Sequence, residues 1–140
     1  MRSLGNNRLT KGFDADCLAT RESLTRVGDK WSVLIVVVLG DGAKRSSDLK
    51  RSIDGISQRI LTLTLRGLER DGLVQRTVFA TVPPRVDYAL TPLGETLLEP
   101  VSALALWAQG HRAEVYRARE AFDKLNGAAR KSAAGPKASR

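Results

Sequence analysis

The sequence predicts a mainly α-helical chain with one small β-hairpin, an α+β fold. Three observations predict it: cap residues at Asp29, Ser57 and Thr91 precede segments of helical spacing, the spacing switches to strict alternation after Gly72, and helical spacing then returns. At 140 residues the chain fits one domain with a real hydrophobic core. Its single cysteine excludes internal disulfides and multi-cysteine zinc sites.

Residues 1–12 are polar and read as a flexible N-terminus. A first helix is expected from about Asp16 to Val27, with Leu18 and Leu24 among charged neighbours. Asp29 is a good N-cap for the next segment, which runs through Trp31 to Leu39 before Gly40-Asp41-Gly42 breaks it. Its valine-rich run would suit a buried strand equally well, because β-branched side chains favour that state. Ser46 or Ser47 can cap a short helix over Leu49 to Ile53, and Asp54-Gly55 then forms a tight turn. Ser57 opens a helix that lasts to Asp71 and stops at Gly72.

Val74 and Val78, then Val86, Tyr88 and Leu90, keep apolar residues two apart on either side of Thr81-Val82-Pro83-Pro84. That is a two-stranded hairpin with a proline-stiffened tip. Thr91 and Pro92 suit a helix start, with Pro at the first helical position, where a missing N–H costs nothing. Leu93, Leu97, Val101, Leu104 and Ala108 form an apolar stripe, and the helix continues toward Leu125 with a bend expected near Gly110. Residues 127–140 are small and basic and read as a disordered tail, leaving 13–126 as the folded domain.

Two short helices around a tight turn, then a hairpin and a long helix, make a winged helix-turn-helix. At about 100° per residue, Leu61, Leu65 and Leu68 fall on one side of the second short helix and Arg59, Thr62, Arg66 and Arg70 on the other. Ser57, Gln58 and Arg59 combine free backbone N–H groups, a positive dipole end and base-reading side chains, which fits a major groove. An ordinary solvated face is the plainer alternative. Leu63 also points outward, toward thymine methyls or a packing neighbour.

Charge layout agrees. Residues 43–92 carry nine basic against five acidic side chains and residues 127–140 four basic and no acidic ones, while the other segments nearly cancel within a total of +8. Such a distribution suits a polyanion, though solubility alone could account for it. Arg85, after Pro83-Pro84, is expected at the wing tip within reach of a minor groove or a phosphate. Lys44, Arg45, Lys50 and Arg51 flank the first short helix and suit phosphate contacts.

The run IDGISQRILTLTLRGLERDGLV (residues 53–74), followed by PPRVDYALTPLG (residues 83–94), resembles the HxlR-type bacterial transcriptional regulators, a winged-helix group related to MarR. Cys17 and Gly28-Asp29-Lys30-Trp31 resemble that family's N-terminal cysteine and G-x-K-W segment, so the similarity spans about residues 17–110. It favours helix over strand for the valine-rich segment. It implies a homodimer held by N- and C-terminal dimerisation helices, with paired recognition helices on a pseudo-palindromic operator of double-stranded DNA; a dimer seated on a promoter most simply blocks polymerase, so repressor is the default role. Leu97, Val101, Leu104, Trp107 and Ala108 then become candidates for the dimer interface, with the monomer core as the alternative. Two departures stand out: Leu18 follows the cysteine where the family usually has proline, and Ser46 replaces an aromatic residue.

Some family members use the cysteine to sense oxidants or electrophiles. Cys17 suits that role if its thiol leans toward thiolate, which Arg21 would favour and Asp14 and Asp16 oppose; a small buried hydrophobe is the competing role. A small-molecule effector is the other route to regulation. His111 is the only histidine, and no phosphate-binding loop or assembled nucleophile and base is present, so neither an enzyme nor a cofactor or metal site is expected. No signal peptide or membrane span is legible, which points to a cytoplasmic protein. A non-specific nucleoid-associated or RNA-binding protein is the rival reading, since basic charge alone would suffice for it.

Overall fold

A computed structural model describes residues 11–13 and 17–134. The described elements are α1 (Leu18–Gly28), α2 (Lys30–Leu39), β1 (Lys44–Arg45), α3 (Ser46–Ser52), α4 (Gln58–Arg70), β2 (Val74–Phe79), β3 (Arg85–Leu90), α5 (Pro92–Gly110) and α6 (Arg112–Ala134). They divide into two compact units, residues 1–102 and 103–140. Of the expected flexible N-terminus (1–12) and disordered tail (127–140), residues 1–10 and 135–140 lie outside the described residues.

In the first unit, Asp29 caps α2, its carboxylate accepting from the Ser32 N–H at 3.2 Å. The valine-rich segment is helical, and it buries Val33, Ile35, Val36 and Leu39 against the leucine face of α4 and the sheet. Leu49, Ile53, Ile56, Leu73 and Val74 complete that core. Burial of this many aliphatic side chains, at about 1.5–3 kcal/mol each, is the main force that fixes α4 in place.

The sheet has three strands, not two, in the order β1-β3-β2, all antiparallel. Lys44 pairs with Tyr88 and Arg45 with Asp87. β1 is two charged residues long, too short to show any alternation, so periodicity could not reveal it. Its presence also corrects the expected serine cap. The chain enters α3 directly from extended Arg45 (φ −70°, ψ 153°), so Ser46 is already helical and caps nothing.

The hairpin register is the expected one, with Val74 opposite Leu90, Arg76 opposite Tyr88 and Val78 opposite Val86. The wing is locked to the start of α5. The Thr91 N–H donates to Leu73 O at 3.1 Å, the Thr91 hydroxyl donates to Gly72 O and accepts from the Gly94 N–H, and Pro92 opens the helix. Gly94 lies so close that a methyl there would stand 2.0 Å from Leu73 O. Leu98 of α5 rests on Gly40 at the end of α2, with a methyl carbon 2.7 Å from where a Cβ would be.

In the second unit, helix is interrupted at His111 and resumes as α6, close to the bend expected at Gly110. α6 reaches Ala134, eight residues past the boundary drawn at 126. The alanines of residues 127–134, good helix formers, extend the preceding helix. No helix among the described residues is long and apolar enough to cross a membrane.

Candidate nucleic-acid interface

α4 is built to show two faces. Ser57 stands in extended conformation before it, and its hydroxyl accepts from the Ile60 N–H at 3.1 Å. Leu61, Leu65 and Leu68 are 0 %, 2 % and 0 % exposed. Thr64, buried beside them, donates its hydroxyl to Ile60 O at 2.7 Å and so leaves no unpaired polar atom in the core. The opposite face shows Gln58, Arg59, Thr62, Arg66 and Arg70 to solvent. Gln58 donates its side-chain amide to the Thr62 hydroxyl at 3.2 Å, which orders the first turn of that face.

Arg59 and Arg66 form no ion pair among the described residues. They are exposed cations on the outer side of a helix anchored by its inner side.

The flanking cations divide into two groups. Lys50 is exposed on α3 and borders a polar cleft that also takes in Ser47 and Gln58, so the fold brings it to the N-terminal end of α4. Arg51 is instead paired with Asp48 one turn back on the same helix. Lys44 and Arg45 belong to the sheet through β1, Arg45 exposed and Lys44 half-buried.

Arg85 is not at the wing tip. It begins β3, and its guanidinium folds back along the strand to donate two bonds to Asp87, at 2.8 and 3.0 Å. Its carbon lies 5.7 Å from the centre of the Phe79 ring. The Arg85 hydrogen bonds hold the Asp87 carboxyl below its ordinary range, and Arg45, the cross-strand neighbour of Asp87, adds to that effect. Asp87 therefore sits between two arginines. The tip itself, residues 80–84, is uncharged, with Val82 fully exposed. The alternation that identified the strand also placed residues 85 and 87 on one face, the signal from which this pair could have been read.

Leu63 is 55 % exposed, but it borders an open cleft with Arg26, Arg70, Leu93 and Leu97, so it faces α1 and α5. Across that cleft Arg26 donates to Asp71 at 2.9 Å, and its guanidinium lies over Gly67, where a methyl would meet it at 2.1 Å. The contact ties the end of α1 to the end of α4. Sequence spacing gave no sign of it, since the partners are 45 residues apart.

Cys17 stands half-buried immediately before α1. Its thiol is drawn below the ordinary range by the neighbouring Thr20 backbone and hydroxyl, then by the Ala19 backbone, although its side chain makes no capping hydrogen bond to α1. The expected contribution of Arg21 is not among the causes, and Asp14 and Asp16 lie outside the described residues. Of the stripe on α5, Leu104, Trp107 and Ala108 are exposed and Leu97 is half-buried, whereas Val101 is buried at 5 % and belongs to the core of a single chain.

A family model for the HxlR-like helix-turn-helix matches residues 26–116, which takes in α2 through α5 and all three strands. The chain belongs to the HxlR-like helix-turn-helix family. Among its relatives, the HTH-type transcriptional regulator YtfH of Escherichia coli (strain K12) is 44% identical over 106 residues, 76% of this chain and 84% of that protein. The transcriptional regulator ytfH from Salmonella typhimurium superposes with a TM-score of 0.70 at 44% identity, covering 77% of this chain and 96% of that one. The redox regulator HypR in its reduced form superposes with a TM-score of 0.64 at 37% identity, covering 71% and 98%. The fold is thus the winged helix-turn-helix of transcriptional regulators: α3 and α4 are the two helices of the motif, and the sheet is the wing.

Proposed function

We propose that this HxlR-like regulator binds a pseudo-palindromic operator in duplex DNA as a homodimer and represses by occupying the promoter. The observation that carries the reading is the division of α4 into a buried leucine side and an exposed side bearing Gln58, Arg59, Thr62 and Arg66. Arginine matches guanine O6 and N7, and glutamine matches adenine N6 and N7, when their helix lies in a major groove. Lys50 and Arg45 bind phosphates and set the register of α4, and Arg85 helps the wing do so along the backbone. The exposed Leu104, Trp107 and Ala108 meet a second copy across a two-fold axis, which matches operator symmetry.

Cys17 is the switch. Its lowered pKa makes thiolate available to an oxidant or electrophile, and the resemblance to the redox regulator HypR supports that role. A change at the head of α1 reaches the recognition helix through Arg26, which holds Asp71 and covers Gly67.

Nuclease footprinting on the intergenic DNA beside the protein's own gene, with and without oxidant, tests the proposal. A discrete two-fold footprint that the oxidant removes in the native protein, but not in Cys17→Ser, is expected. Uniform coating of operator and scrambled DNA alike would instead favour a non-specific basic protein. A footprint that persists under oxidant would remove Cys17 from the account and leave DNA recognition standing.

A further inference from the structure

We propose that α6 pairs with the α6 of a second copy as a parallel two-stranded coiled coil, an assembly element that runs past the HxlR-like match. This rests on the homodimer reading and adds the orientation of the paired helices, their register, and the extension of the contact along α6. The family match ends at residue 116, whereas α6 runs to Ala134.

Within the second unit, Leu104, Ala108, His111, Val115, Ala118, Phe122 and Leu125 follow one another at alternating spacings of four and three. That is a heptad repeat, with positions written a to g and its seam at a and d. The interruption at His111 does not break its phase. The His111 N–H donates to Trp107 O and the Val115 N–H to His111 O, both at 3.0 Å, so the backbone keeps its i to i+4 bonding through the junction. His111 stacks on Trp107 at 4.9 Å between ring centres, and its Nδ1 lies 2.9 Å from Trp107 O. A polar residue at one seam position is a common means of fixing register.

Two features separate this seam from an ordinary core-facing stripe. It is narrow: on α6 the flanking positions are mostly charged or small, among them Arg112, Glu114, Arg119 and Ala121, whereas a helix lying on a domain core widens its apolar face to e or g. It is also largely uncovered, with only His111 and Val115 half-buried. Phe122 and Leu125 are 66 % and 73 % exposed, and Ala118 is exposed too. A helix of 23 residues draws most of its stability in a protein from packing of its apolar face, and α6 has little such packing in a single chain.

The charges select the occupant and its direction. With Val115 at position a, Glu114 is at g and Arg119 at the following e, the positions that meet between chains in a parallel pair. Two-fold symmetry makes that contact twice. In an antiparallel pair e faces e and g faces g. The e residues are then Arg112, Arg119 and Asn126 and the g residues Glu114, Ala121 and Ala128, so no opposite charges meet.

The test places a single thiol at chosen seam positions of the full chain carrying Cys17→Ser. Under mild copper-catalysed oxidation, Leu125→Cys is expected to shift to a covalent dimer on a non-reducing gel, because a parallel seam sets residue 125 against itself. Glu120→Cys, at position f on the far side, is expected to stay at the monomer band. Equal cross-linking of both variants, or of neither, overturns the proposal. Light scattering on the unmodified chain separates the two ideas. A monomer in solution removes the homodimer reading and the coiled coil together. A dimer in which Leu125→Cys fails to cross-link removes the coiled coil alone, and means that another part of the protein or an antiparallel partner covers the seam.

Discussion

Replacing Gly94 by alanine tests how the wing is fastened to the rest of the molecule. The added methyl would stand 2.0 Å from Leu73 O, about 1.4 Å short of the roughly 3.4 Å at which such atoms come to rest. It would also press on Leu90 at 3.3 Å. The opposing atom is backbone at the start of the wing, so no side chain can swing aside. A retreat of that size breaks the Thr91 N–H bond to Leu73 O and the Thr91 hydroxyl bond to Gly72 O. At about 1 kcal/mol per hydrogen bond, together with an overpacking cost of about 1–3 kcal/mol that partly overlaps it, the gross loss is about 2–4 kcal/mol. Alanine returns about 1 kcal/mol of helix propensity, leaving a net destabilisation of about 1–3 kcal/mol. For a unit of this size that lowers Tm by at least about 4 °C. Thermal unfolding followed by circular dichroism reads the change. Gly28→Ala is the control: its methyl meets nothing within 4 Å, so stability should hold or rise. If Gly94→Ala equals or exceeds the wild type, propensity outweighs the clash and the proposed fastening is wrong.

Further expectations concern the interface itself. Arg59→Ala should cost about 1–3 kcal/mol of operator binding and relax sequence preference, whereas Lys50→Ala should weaken all duplexes evenly; competition binding with scrambled DNA distinguishes them. Asp87→Asn removes the carboxylate shared by Arg85 and Arg45. Anisotropy titrations over a range of salt should then show stronger binding to any duplex, with a log–log slope steeper by about 1; unchanged or weaker binding would mean that the pair does not face DNA. For Cys17, a depressed thiol pKa predicts alkylation that reaches half its maximal rate below the roughly 8.5 of a free cysteine and slows as pH falls through the lowered value. A midpoint at or above that of a model thiol would contradict the influence assigned to Thr20.

Helix α4 was legible because its signal is local and strong: three leucines at helical spacing, a serine cap and a glycine stop. The wing register was legible for the same reason, through Val74, Val78, Val86, Tyr88 and Leu90. What escaped depends on partners far apart or on elements too short to carry a period. β1 is only Lys44 and Arg45, visible once Tyr88 and Asp87 supply its hydrogen bonds. Arg26 and Asp71 meet only when α1 lies beside α4. Val101 fits the same helical stripe as Leu104, and spacing alone could not tell that one is buried within a chain while the other is exposed. The charge of Arg85 was visible but its direction was not, because Asp87 two residues on captures it.

Dimethyl sulfate probing of guanine N7 on the footprinted operator asks most directly whether α4 lies in the major groove. Protection in two half-sites about 10 base pairs apart, with a particular guanine in each half-site exposed again by Arg59→Ala or Arg66→Ala, is the expected result. Guanines as reactive as in free DNA, in a complex held only by phosphate contacts, would contradict it.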